Sequence, residues 1–248
     1  MNHHRTEVGV RRPVGAAERI GRRIVTGGLS PGTVLPNLDK LATEYSISRL
    51  SMREAMKLLA GKGLVSSTPR RGTVVRPRSA WSRLDADVLV WQLGGLPDAA
   101  FVRNLFELRR MVEPEAAALA AMRSDAESLA AIERAFNDMR EADSRSPEAI
   151  AADVRLHQAI LAATGNEFIA ALAPAIETSL RLALPIQRNA YPDPDVFISS
   201  HGLIVDAIKR GDPDAARKAV HALLVRAEMD AMDGIKVTRG RTARSPRS

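Results

Sequence analysis

The chain has 248 residues, 45% of them hydrophobic, a formal net charge of +7 and no cysteine. That length suits two domains with true apolar cores, and the lack of Cys excludes disulfides and thiolate metal sites. No apolar run approaches a membrane span and the N-terminus has no secretory apolar core, so a cytoplasmic protein without a membrane partner is expected.

In chain order, "AAERIGRRIVTGG" places Ala17, Ile20, Ile24 and Val25 on one helical face, and the pattern stops at Gly27-Gly28. "PNLDKLATEYSIS" gives a short second helix with Leu38, Leu41, Ala42 and Tyr45 inward, then a tight turn at Ser46. Ser48 can cap a third helix, because its hydroxyl can accept from a free backbone N–H. That helix buries Met52, Ala55, Met56 and Leu59 and shows Arg49, Ser51, Arg53 and Lys57 on its polar face. "LVSST" and "TVVRP" read as two strands joined by "PRRG". Three helices and a two-stranded wing make a winged helix-turn-helix, an α+β unit whose third helix fits a major groove and whose basic tip reaches the adjoining backbone. A solvated basic face is the plainer reading of one such helix. The coincidence of turn, hairpin and second arginine pair favours double-stranded DNA as the partner.

The charge divides along the same line. Residues 1–80 carry fifteen Lys/Arg against five Asp/Glu, residues 81–235 sixteen against twenty-four, and residues 236–248 five against none. DNA affinity comes largely from neutralising phosphates, so it is assigned to residues 1–79. Residues 80–235 form a succession of amphipathic patterns, from "WSRLDADVLVWQL" to "DPDAARKAVHALLVRAEMDAMDG", with no strand pattern. They predict an all-α bundle of about six or seven helices, one of them broken at Pro174 and ended near Pro185. Residues 236–248 have no apolar period and read as a disordered basic tail.

These segments in this order ("LSPGTVLP", "SRLSMREAMKLLAGKGLV", "RRGTVV", "ELRRMVEPEAAALAA", "DVRLHQAILAATGN", "HGLIVDAIKRGDPDAAR") resemble GntR-family transcription regulators of the FadR subfamily, whose C-terminal FCD domain binds a ligand. The likeness covers about residues 14 to 232, and "WSRLDADVLVWQL" is similar to the D-galactonate-responsive branch. The resemblance implies DNA contacts from Arg49, Ser51, Arg53, Arg71 and Gly72. Asp39 stands where the family often has a DNA-contacting Arg, and Lys40 beside it can compensate in part.

Asp153 and His157 are four residues apart and share a helix face, and His201 lies on a later helix. By spacing alone a surface hydrogen bond and a structural His are the plainer readings. The resemblance implies that all three line an effector cavity and bind a divalent metal such as zinc. It also implies a fourth ligand, a His, at the position of Leu223, so the metal would be held weakly; His221 would face elsewhere. Arg109 is implied to face the cavity, where its guanidinium suits a carboxylate; the other reading is a helix-surface ion pair with Glu113. Asn166 either orients polar ligand groups or caps a helix. The function implied is a homodimeric repressor of sugar-acid or related organic-acid catabolism genes, released from its operator by a small organic acid effector. A metal-dependent hydrolase-like domain fused to a DNA-binding module is the alternative. No general base at suitable spacing and no nucleophile motif support it, and no enzyme is expected.

Overall fold

A computed structural model describes residues 13–69, 71–92, 99–143, 146–190 and 194–243. The chain divides into two compact units at 95/96.

In the N-terminal unit, α1 (Pro13–Val25) buries Ala16, Ala17, Ile20, Ile24 and Val25. α2 (Leu38–Tyr45) is capped by Asn37, whose side chain accepts from the Lys40 N–H, and closes on Ser46 in the left-handed conformation, φ 55°. That left-handed residue is the tight turn expected from the sequence. α3 (Arg49–Gly61) starts at Ser48, whose hydroxyl accepts from the Ser51 N–H at 3.0 Å. Its buried face is Met52, Ala55, Met56 and Leu59. β1 (Val65–Thr68) pairs antiparallel with β2 (Gly72–Val75), Val65 opposite Val75 and Thr68 opposite Gly72. The segment before α2 adds a short third edge: Leu35 N–H donates to the Thr73 carbonyl and Val75 N–H to the Thr33 carbonyl. The fold is the expected winged helix-turn-helix.

The N-terminal unit reaches past residue 79, which corrects the expected boundary. After a 3-10 turn at Arg78–Ala80, Trp81 donates from its indole to the Arg76 carbonyl at 3.0 Å. α4 (Ala86–Trp91) is capped by Asp85, whose carboxylate also takes Lys62 Nζ at 2.8 Å. Trp81, Val88 and Trp91 join the core of α1–α3. Gly21 makes this packing possible, since a Cβ there would stand 2.3 Å from the Trp91 ring. Gly63 acts similarly at the foot of the wing: its φ is +73°, and a Cβ would meet the Ala80 carbonyl oxygen at 2.1 Å.

Every regular element among the described residues of the second unit is a helix: α5 (Ala99–Arg123), α6 (Ala126–Glu141), α7 (Pro147–Ala163), α8 (Glu167–Ala170), α9 (Ala173–Ala190), α10 (Pro194–Lys209) and α11 (Pro213–Ala243). α5 lies along α11, and α7 packs against α5, α6 and α9. Ala117, Ala120, Leu156, Ile160, Ile204, Ile208 and Leu224 bring α5, α7, α10 and α11 into one core.

Two expectations fail here. The break before Pro174 is present, with Pro174 in the first turn of α9, where its missing N–H costs nothing. Pro185, however, does not end α9, which runs on to Ala190; proline removes one intrahelical bond but keeps a helical φ. The basic tail does not begin as a disordered segment at 236, because α11 continues to Ala243. Helix propagation from a packed turn is far easier than nucleation. No helix among the described residues is long and apolar enough to cross a membrane.

Candidate operator-binding and effector-binding sites

On the N-terminal unit, α3 turns Met52 and Met56 inward and thereby leaves Arg49, Arg53 and Lys57 exposed, one turn apart. Ser51 is partly engaged already, its hydroxyl 2.9 Å from that of Ser48. At the wing, Arg71 and Gly72 are exposed, with Gly72 at φ +77° to make the turn; Arg70 lies outside the described residues. Lys40 is exposed at the start of α2. Asp39 does more than interrupt the basic surface. Its Oδ1 is 3.1 Å from Arg49 Nε, with both side chains about two-thirds exposed, so the carboxylate holds the first arginine of α3 across the turn.

The second site is buried in the helical unit. α7 projects Asp153 and His157 inward from adjacent turns, α10 supplies His201, and α5 supplies Arg109 and Glu113. All five are at most 4% exposed. Arg109 Nε donates to Glu113 Oε1 at 2.6 Å, and Glu113 Oε2 accepts from His157 Nδ1 at 2.7 Å. His201 Nδ1 donates to the Phe197 carbonyl at 2.8 Å, because a carbonyl can only accept. With both Nδ1 atoms committed as donors, each neutral ring carries its lone pair on Nε2. Those two lone pairs meet the third group. His201 Nε2 is 3.1 Å and His157 Nε2 3.6 Å from Asp153 Oδ1. The geometry makes no hydrogen bond: Asp153 Oδ1 and Oδ2, His157 Nε2 and His201 Nε2 are buried with no hydrogen-bond partner.

Electrostatics follow from this crowding. Burial alone would raise the Glu113 carboxyl, but Arg109 and His157 more than offset it and hold it down to about 2. Asp153 is likewise lowered, burial being outweighed by His201, His157 and Arg109. The His157 ring is raised, since Glu113 and Asp153 outweigh its burial.

One nitrogen from each His and an Asp153 oxygen lie within 4.8 Å of one another. Three orphaned donors of N,N,O type, with both rings fixed from behind, fit a divalent cation such as zinc. The donor set therefore suits the metal implied by the resemblance, with three candidate protein ligands among the described residues. Leu223 is partly buried against the core and brings no donor, and His221 is exposed as expected. A cavity of about 10 Å³ adjoins Glu113, His157 and His201 and is lined also by Ala116, Leu156 and Val220.

Two open alternatives narrow. The surface reading of the Arg109–Glu113 pair fails: the two are paired, but Arg109 is at 2% exposure. Asn166 is a cap, accepting from the Phe168 and Ile169 N–H groups at the start of α8. It stands outside α7, which ends at Ala163, and its side chain is spent on the α8 cap. Glu113 was weighed in the sequence only as a surface partner for Arg109. Its i,i+4 spacing from Arg109 is visible there, but its burial is not. Ser179, which carries no signal in the sequence, has its hydroxyl buried on α9 without a partner.

Residues 14–75 match the bacterial regulatory proteins of the gntR family, and residues 104–226 match the FCD domain. The chain is 36% identical over 209 residues to the galactonate operon transcriptional repressor of Escherichia coli, covering 83% of this chain and 90% of that one. It is 28% identical over 219 residues to the transcriptional repressor NanR of Cronobacter sakazakii, covering 84% and 80%. In fold it is similar to the Listeria monocytogenes protein Lar, with a TM-score of 0.59, 18% identity, and coverage of 93% and 98%. Nothing in these relatives supports the hydrolase alternative. The winged helix that leads the chain and the helical unit that follows it are thus the two parts of a DNA-binding transcription regulator, and the chain belongs to the GntR family, in its FadR-like branch with an FCD domain.

Proposed function

We propose that this regulator is a cytoplasmic homodimer that represses genes of sugar-acid catabolism and leaves its operator when the sugar acid binds the helical unit. The observation that carries this reading is the buried cluster of Arg109, Glu113, Asp153, His157 and His201. Five ionisable side chains in an apolar helical core are costly unless they serve a ligand or one another. Four of their polar atoms remain unpaired. The relative named for a galactonate operon, at 36% identity, points to an aldonate or similar acid.

In this reading Asp153, His157 and His201 hold a divalent cation, whose open positions supply charge for the acid's oxygens. Leu223 weakens that hold relative to a site with a fourth donor. Arg109 meets the acid's carboxylate with the guanidinium donors that Glu113 leaves over, since a planar fork can serve two acceptors. The cavity beside the cluster is about 10 Å³, room for about one water. Admitting a six-carbon acid requires helices around it to part. That movement gives the acid a differential affinity for two conformations, which is what shifts a population away from the DNA-competent one. Arg49, Ser51 and Arg53 on α3, with Lys40 on α2 and Arg71 and Gly72 on the wing, engage the operator.

Isothermal titration against a panel of aldonic and uronic acids, with and without zinc, tests the reading alongside gel shifts on DNA upstream of the chain's own gene. One acid should bind and release the DNA. A panel without binding, or binding that leaves the gel shift unchanged, refutes it.

A further inference from the structure

We infer that Glu113 is a positioning residue for the metal centre: it holds His157 in the one tautomer that can ligate, and Arg109 holds Glu113 in place. The inference rests on the metal reading above and adds a residue that touches neither metal nor acid.

Both Glu113 oxygens are spoken for, Oε1 by Arg109 Nε at 2.6 Å and Oε2 by His157 Nδ1 at 2.7 Å. A carboxylate only accepts, so the ring hydrogen belongs on Nδ1, and the lone pair on Nε2 points toward Asp153. Were the hydrogen on Nε2 instead, that nitrogen would stand 3.6 Å from Asp153 Oδ1, and a small rotation would close an N–H···O hydrogen bond between the two. A proton would then occupy the space a cation needs. Glu113 makes that collapse unfavourable, because its buried Oε2 would face the bare lone pair of Nδ1 and keep only the long 3.5 Å contact from Arg109 Nη2. His201 needs no such help: its Nδ1 is fixed by the backbone carbonyl of Phe197, which no side-chain substitution removes. His157 is therefore the ring whose state depends on a side chain, and that side chain is Glu113. Arg109 completes the arrangement from the next turn of α5, so the centre extends as a row from Arg109 through Glu113 to His157.

The test uses the full-length protein and zinc alone. Zinc affinity is read by competition with a chromophoric chelator in wild type and Glu113→Gln. An amide at 113 can accept from Nδ1–H or donate to Nδ1, so both tautomers become available, and zinc affinity should fall 10- to 100-fold. Nitrogen-15 NMR of the imidazoles, in zinc-free protein at a pH where His157 is neutral, should show hydrogen on Nδ1 in the wild type and a mixture in the variant. A purely structural role for Glu113 would lower the melting temperature but leave the tautomer alone. Equal zinc affinity in the two proteins overturns the inference while sparing the metal reading. A wild type that does not bind zinc removes the metal reading and this inference with it. If Glu113→Gln fails to fold, the wild-type spectrum still decides: hydrogen on Nε2 of His157 is incompatible with the role given to Glu113.

Discussion

Removing the guanidinium of Arg109 strands the Glu113 carboxylate in a site that is 3% exposed. Breaking a buried pair in this way costs about 3–5 kcal/mol, so Arg109→Ala should lower stability as well as abolish the acid response. Arg109→Met combined with Glu113→Gln removes both charges and should recover most of the loss. Urea denaturation of the two variants checks this, and a loss below about 1 kcal/mol in Arg109→Ala would mean that water reaches the pair. On the DNA side, Arg53→Ala should cost about 1–3 kcal/mol in specific operator affinity, whereas Arg71→Ala at the wing should cost less. Gel shifts that leave Arg53→Ala at wild-type affinity would remove α3 from the groove. Asp39→Asn should free Arg49 for phosphate, raising affinity for unrelated DNA and steepening the salt dependence by about one unit. The sequence displays each of these residues, and period alone places the arginines of α3 on its polar face. What it hides is partnership. Asp39 is read along the chain as a missing arginine, but in space it is the acceptor for Arg49. The same letters, Arg109 and Glu113, describe a surface pair or a buried one, and only the packing of α5 against its neighbours decides.

Among the elements, those with strong local signals were legible. Ser48 and Asn37 cap where a side-chain oxygen precedes a helical period, and Ser46 turns where two such periods meet. α4 was visible as a helix but not as part of the N-terminal core. Its place depends on the bare surface of Gly21 and on Lys62 reaching Asp85, contacts between residues far apart in sequence. Gly21→Ala would put a methyl 2.3 Å from the Trp91 ring. Forcing it in should destabilise the N-terminal unit by about 1–3 kcal/mol, measurable as an earlier melting transition. An unchanged melt would show that α4 lifts away freely. Pro185 and the helical start of the basic tail misled for one reason: breakers and charge act locally, whereas a helix already formed needs little to continue.

At the scale of the whole molecule, the uneven charge sets the physics of operator search. The excess of basic side chains lies ahead of residue 80 and again after 235, so nonspecific DNA affinity should fall steeply with salt. Acid binding in the helical unit should be much less sensitive, because its charges are buried and screened little. A winged helix reads only one half-site, and a symmetric operator therefore calls for two copies. Light scattering of the full chain should give twice 26.9 kDa at micromolar concentration. A monomer under those conditions would contradict the homodimer.

The chain contains two tryptophans, and both indoles, Trp81 and Trp91, are packed into the N-terminal core. The protein thus carries its own optical reporter, confined to the half that meets DNA. In the proposed reading the acid binds among side chains with no indole of their own. Any change in emission on adding it is then a signal that has travelled from one unit to the other, and a silent titration with measurable heat would be binding without a message.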